Sequence, residues 1–241
     1  MECRDILCGM EHFSALDQLP IIDFIAVAFV VGSWFLVGWR IEHPSPKRSS
    51  VTMLMAQFHR DWAKVFVERD PRIFDSQVLG ILRQGTAFFA STSILVLGGL
   101  LALMGNADPL RGVVEQVGLV EMSVLIWQLK FALVAFFVTN AFLKFVWAHR
   151  VFGYGTVMMA AVPNDPNAPD AIDRAMQAAE LNIRAVINFN RGLRALYYAL
   201  GSLGWILGTP ALFLTTLIVI WVLWSREFAS VPRSILINGK E

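Results

Sequence analysis

Apolar positions gather into four charge-poor runs, residues 20–39, 86–105, 122–147 and 196–224, and the stretches between them carry polar residues at helical spacing. A helix crosses a hydrocarbon core of about 30 Å with roughly 20 apolar residues, and each run reaches that length. The pattern predicts an all-α, polytopic membrane protein with four transmembrane helices and amphipathic helices on the cytoplasmic side. Val51, Leu54, Met55, Phe58, Trp62, Val65 and Phe66 share one face of a helix over 51–67, which either lies on the membrane surface or packs against the protein's own helices. Asp70-Pro71 reads as an N-cap and first-turn proline for a helix running through Arg83 into the second run. A further helix starts near Asp170 with Ile172, Met176, Ala179, Ile183, Val186 and Ile187 on its apolar face, and Asp170 with Arg174 and Glu180 with Arg184 at four-residue spacing. Unbroken to Trp224 it would measure about 80 Å, so it projects beyond the bilayer, with a bend expected at Gly192 and a kink at Pro210.

The halves resemble each other: span, basic loop, soluble helix, span. Residues 85–90 and 194–199 even share an aromatic pair followed by alanine. This suggests a parallel two-hairpin pseudo-repeat about an axis along the membrane normal.

Composition agrees with lipid as the main solvent, since 56% of residues are apolar and 18 Phe and 8 Trp exceed the needs of a soluble core. Charge then sets direction. Of the 20 Lys and Arg, eight lie from Arg40 to Arg83 and five from Arg150 to Arg194, while residues 106–121 hold only Arg111. Basic loops stay cytoplasmic. Residues 20–228 are thus expected to form one membrane domain with cytoplasmic helical loops at 40–85 and 148–195. Residues 1–19 would be an extracytoplasmic head and 229–241 an extracytoplasmic tail, although Arg226, Arg233 and Lys240 fit poorly there. The head is acidic (Glu2, Asp5, Glu11, Asp17) and lacks the basic start of a cleaved signal peptide. Cys3 and Cys8 enclose too tight a loop to favour a disulfide, and with His12 alone they do not make a metal site.

Candidate chemistry concentrates in the third run, where Gln128, Lys130, Thr139, Asn140 and Lys144 interrupt apolar residues. Lys130, Phe137 and Lys144 recur every seven residues, and Asn140 shares their side. Either a polar stripe faces a cavity, or Lys130 and Lys144 snorkel to opposite interfaces while Asn140 makes one interhelical hydrogen bond. Arg83, Arg191 and Arg194 stand at the cytoplasmic ends of the second and fourth runs, and Asn190-Arg191-Gly192 reads as a turn at the headgroups. Gly98 with Gly99, and Gly204 with Gly208 beside Pro210, are the candidate helix-packing positions. The sequence holds no GxSxG, HExxH or phosphate-cradling glycine loop, and His12, His43, His59 and His149 share no ligand spacing. No enzyme activity, catalytic residue, metal or cofactor is expected, nor a nucleic-acid partner.

The strings RIEHPS at 40–45, ILRQGTAFFASTSILVLGGLLAL at 81–103 and NFNRGLRA at 188–195 resemble the multi-pass membrane family of bacteria and plants known as domain of unknown function 599, over residues 20–228. The resemblance implies the four-span architecture and, with the charge asymmetry, a place in the bacterial inner membrane, and it brings no catalytic or cofactor residues with it. Two functions fit. One is a non-catalytic scaffold or accessory subunit that binds anionic lipid headgroups, copies of itself or other membrane subunits. The alternative is an oligomeric channel or carrier for a small anion, with Arg83, Lys144, Arg191 and Arg194 around a cytoplasmic vestibule and Gln128, Lys130 and Asn140 along the passage.

Overall fold

The computed structural model describes residues 20–45, 48–105 and 124–238. The chain folds into α1 (Ile21–Glu42), α2 (Val51–Glu68), α3 (Ile73–Gly105), α4 (Val124–Ala160), α5 (Ala171–Ser202), a 3-10 turn (Leu203–Leu207), α6 (Thr209–Phe228) and α7 (Val231–Asn238). Spanning segments must satisfy their backbone groups internally, which helices do. α1, α3, α4 and Thr209–Asn238 are each long and apolar enough to cross a bilayer. The expectations for residues 1–19, including Cys3, Cys8 and His12, and for the 106–121 connection lie outside the described residues.

The centre is the antiparallel pair of α4 and α5, in contact along most of its length. Small residues make this closeness feasible. A Cβ on Gly192 would stand 2.6 Å from the Phe145 ring, and one on Gly155 would stand 2.3 Å from Asn182 Oδ1. Gly192 is therefore a point of close approach, and α5 runs straight through it where a bend was expected. α3 lies along α4, with the Phe89 and Phe145 rings 5.3 Å apart. α1, α2 and α6 lie along α5. The extensive α4–α5 contact has no counterpart between α1 and α3, so the two expected hairpins do not pack as equivalent repeats.

Beyond the apolar layer, α2 packs on α5 together with the start of α3 and the end of α4, around Ala63, Phe66, Leu79, Met159, Ala171, Ala175 and Ala178. Ser50 fixes the α1–α2 corner: its hydroxyl donates to Ile41 O at 2.8 Å and accepts from Met53 N–H at 3.3 Å. The buried faces combine alanines with Phe66, Val67 and Ile183, and leave Val65 and Ile172 half-exposed. Glu180 pairs with Arg60 of α2 at 2.6 Å instead of with Arg184, whereas Arg174 meets Asp170 at 2.7 Å as its spacing predicts. α3 begins at Ile73, past Asp70-Pro71, because the Arg72 guanidinium turns back to donate to Val162 O and Pro163 O, both at 2.8 Å. Buried Asp75 receives Trp62 Nε1–H at 2.6 Å and pairs with Arg69 at 2.5 Å.

The fourth expected span is a hairpin rather than a kinked rod. The last turns of α5 and the 3-10 turn run the depth of α1 in the opposite direction: Arg191 and Arg194 meet Glu42, and Trp205 meets Asp23. Gly208 then takes φ +119°, a conformation that favours glycine, and the chain reverses. Pro210 sits in the first turn of α6, where its missing N–H is harmless, so it opens a helix and kinks nothing. α6 returns along α5, Thr215 Oγ1 donating to Gly201 O at 2.7 Å. A Cβ on Gly204 would lie 2.9 Å from Ala211 O, so Gly204 admits α6 while Gly208 makes the turn. The last turns of α5 and the whole of α6 thus both lie along α1, with Phe213 against Phe29 and Phe228 under Arg40, and α7 comes to rest on the first basic loop, Arg233 Nε donating to Ser49 O at 2.9 Å. The tail, expected opposite the basic loops, lies beside them.

Two outcomes follow from this packing. Gly192→Ala should destabilise the protein by about 1–3 kcal/mol through overpacking, and by less in a Phe145→Leu background. Gly98→Ala, with nothing within 4 Å of the added Cβ, should stay within about 0.5 kcal/mol; thermal unfolding in detergent checks all three. In oriented vesicles of a variant with Cys3 and Cys8 replaced by serine, an impermeant maleimide should modify Asp61→Cys and Ser234→Cys from the same side. Labelling from opposite sides would refute the hairpin at Gly208.

Candidate functional site

The end of the bundle nearest the basic layer carries its densest buried charge. Glu42 is the last residue of α1, while Arg191 and Arg194 lie three apart on one face of α5. Because α1 and α5 are antiparallel, the carboxylate meets both guanidiniums: Arg191 grips Glu42 through Nε, at 2.8 Å, and Nη2, and Arg194 Nη2 also donates to it. Such two-pronged, charge-assisted contacts fix geometry as well as energy. The Arg194 side chain is 7% exposed, and its Nη1 has no hydrogen-bond partner. The next acid acting on Arg194 through space is Glu227, itself held by Thr52 N–H at 3.1 Å and Thr52 Oγ1 at 2.9 Å.

Beside this cluster lies a cavity of about 500 Å³ between α1 and α4, lined by Trp34, Phe35, Gly38, Trp39, Glu42, Phe136, Asn140, Lys144, Arg191 and Arg194. Gly38 keeps the wall thin, since a Cβ there would lie 3.9 Å from Arg194 Nε. Asn140 Oδ1 is buried without a hydrogen-bond partner, and Lys144 forms no ion pair among the described residues. The lining therefore carries three cations and one carboxylate, of which Arg191 and Arg194 engage Glu42 directly. Its basic side chains are groups that can hold an anion. Among the described residues no three His, Cys, Asp or Glu side chains gather as a metal site.

Of the seven charged or amide residues singled out from sequence, the fold brings Asn140, Lys144, Arg191 and Arg194 together and leaves three apart. Gln128 Nε2 donates to Met104 O at 3.1 Å at the far end of α4. Lys130 is buried, contrary to an outward snorkel, with Nζ 5.5 Å from the Trp127 ring centre and Asp23 acting on it through space. Between that end and the cavity stand the fully buried Phe137 and Tyr198 rings, 5.7 Å apart. Arg83 faces His149 on α4 outside the cavity, its carbonyl receiving the Thr86 hydroxyl at 2.7 Å. A Cβ on Gly98 or Gly99 would meet nothing within 4 Å among the described residues.

Glu42 was given no role from sequence, although it sits in the RIEHPS string. The signal was there: one acid at the end of a span, and two arginines three apart at the start of an antiparallel one. Asp23 makes the matching contact at the other end of α1, accepting Trp205 Nε1–H at 2.9 Å and the Thr209 hydroxyl.

No curated protein and no solved structure matches the chain. A family model does, over residues 25–232, and by that match the chain belongs to the family described as "Protein of unknown function, DUF599".

Proposed function

We propose that this protein is a non-catalytic scaffold or accessory subunit of the bacterial inner membrane that recognises an anionic group at the cytoplasmic face through Lys144, Arg191 and Arg194. The observation that carries this reading is the charge imbalance of the cavity, where two guanidiniums share Glu42 and Lys144 adds a further positive charge. Away from bulk water, such an excess attracts an anion more strongly than the same charge does on an open surface. The orientation follows from arginine placement. Arg40–Arg83, Arg150–Arg194, Arg226 and Arg233 belong to one end of the bundle, which the positive-inside rule assigns to the cytoplasm, with the start of α1 outside and α7 inside.

Docking of a second copy or another subunit has a surface to use on α3, whose apolar window is only 11% buried and presents Gly98 and Gly99 outward, where a neighbouring backbone could approach closely. What weighs against the channel alternative is the pair of packed rings, Phe137 and Tyr198, between the cavity and Lys130. Reconstituted in liposomes, the protein should pass no more anion than empty vesicles. In detergent, millimolar inorganic phosphate should raise its unfolding temperature, and Lys144→Gln should remove that rise. A flux abolished by Arg191→Gln would establish the channel instead, and indifference to phosphate would sink anion recognition.

A further inference from the structure

We infer that the anion taken by this cavity is the phosphate of an anionic phospholipid, which enters sideways from the cytoplasmic leaflet between α1 and α4; this rests on the anion-recognition reading above. The two helices run in the same direction through the layer, as the contact of Trp34 with Phe137, ring centres 5.4 Å apart, requires together with the nearness of Asp23 to Lys130. Each presents a column of residues one turn apart to the cavity. On α1 the column reads Phe35, Trp39, Glu42, and on α4 it reads Phe136, Asn140, Lys144. Both run from aromatic to charged toward the same end, through the indole of Trp39 on α1 and the amide of Asn140 on α4. That is the polarity gradient of a lipid itself, from acyl chain through the interface to the headgroup.

Two observations separate this from a site for a water-borne anion. Phe35 and Trp39 are 63% and 62% exposed and Phe136 is 48% exposed, so the apolar mouth faces the hydrocarbon rather than the bundle interior. A bare phosphate reaching the cations from water would have no use for those rings. The volume, about 500 Å³, also matches pockets that enclose drug-sized ligands and exceeds what a lone oxyanion occupies. At the polar end, Arg194 is more than nine-tenths buried, carries an unmet donor and lines the cavity beside Lys144 and Arg191. Glu42 repels an incoming phosphate, but both arginines already engage it, and the three cations outnumber it. A zwitterionic headgroup would bring its own cation into this field and bind more weakly.

The test uses the full chain in neutral detergent, with tryptophan fluorescence read during titration with short-chain phosphatidylglycerol, short-chain phosphatidylcholine or glycerophosphate. Phosphatidylglycerol should bind at least about tenfold more tightly than either comparison ligand, the scale of one charge-assisted contact. Lys144→Gln, which breaks no ion pair of the fold, should weaken phosphatidylglycerol about tenfold and leave phosphatidylcholine unchanged. Phe136→Ala should weaken phosphatidylglycerol while leaving glycerophosphate unaffected. Equal affinity for the two lipids, or glycerophosphate binding as tightly as phosphatidylglycerol, would overturn the lipid assignment. If glycerophosphate still bound in a Lys144-dependent way, anion recognition would survive that failure; if no anion bound at all, both would fall.

Discussion

Everything else in this molecule leans on how closely α4 and α5 approach. In lipid, apolar side chains gain little by leaving one hydrocarbon environment for another, so helix association depends on van der Waals fit and a few polar contacts. Gly192 under the Phe145 ring and Gly155 under Asn182 supply the fit. Ala141 with Ala195, and Ala185 against Val151 and Phe152, continue it along the seam. Once this pair is set, α3 has a groove on the α4 side, and α1, α2 and α6 have one along α5. The same small-residue rule holds outside the apolar layer, where Ala63, Ala171, Ala175 and Ala178 let α2 sit against α5.

α1 is attached differently, by a carboxylate near each end. Asp23 accepts from Trp205 and Thr209, and Glu42 from Arg191 and Arg194. A buried carboxylate stripped of its partners is strongly unfavourable, so the two contacts together fix the register of α1 along α5 even where apolar packing would tolerate sliding. They also explain where the cavity lies. Glu42 draws two guanidiniums to the end of the bundle, and Gly38 leaves the wall beside them thin, so charge accumulates at the edge of a helix pair that is otherwise apolar.

Much of this was legible in the sequence, and the losses have identifiable causes. Run length found α1, α3 and α4, and periodicity found α2 and the start of α5, because those signals depend only on local order. Asn140 and Lys144 were selected as polar groups interrupting the third run, and Arg191 and Arg194 as basic residues at the cytoplasmic end of the fourth; these four of the seven candidates share one cavity. The expected apolar faces of α2 and α5 caught Phe66, Ala179 and Ile183, which are buried, but missed Ala63, Ala171, Ala175 and Ala178, which fill the close contacts while Val65 and Ile172 stay exposed. Gly192 was taken for a bend because glycine weakens helices in isolation; here the facing Phe145 ring demands it. The reversal at Gly208 was hidden by length. Residues 196–224 suit one kinked crossing, and the polar first half of α5 masks that its last turns belong in the apolar layer.

That reversal also resolves the tension in the charge distribution. With an even number of passes, Arg226 and Arg233 would stand opposite the thirteen basic residues of the two long loops, against the tendency that orients membrane proteins. The reversal at Gly208 moves them to the same end, where Arg226 donates to the Tyr197 hydroxyl and Arg233 to Ser49 O. The opposite end keeps Asp23 and Lys130 within the bundle. Arginine placement and chain reversal are independent properties, one a matter of composition and the other of a single backbone angle at Gly208. Their agreement is a physical reason to regard the hairpin as the way this chain threads a bilayer, and it sets the cavity at the end of the bundle where the basic residues gather.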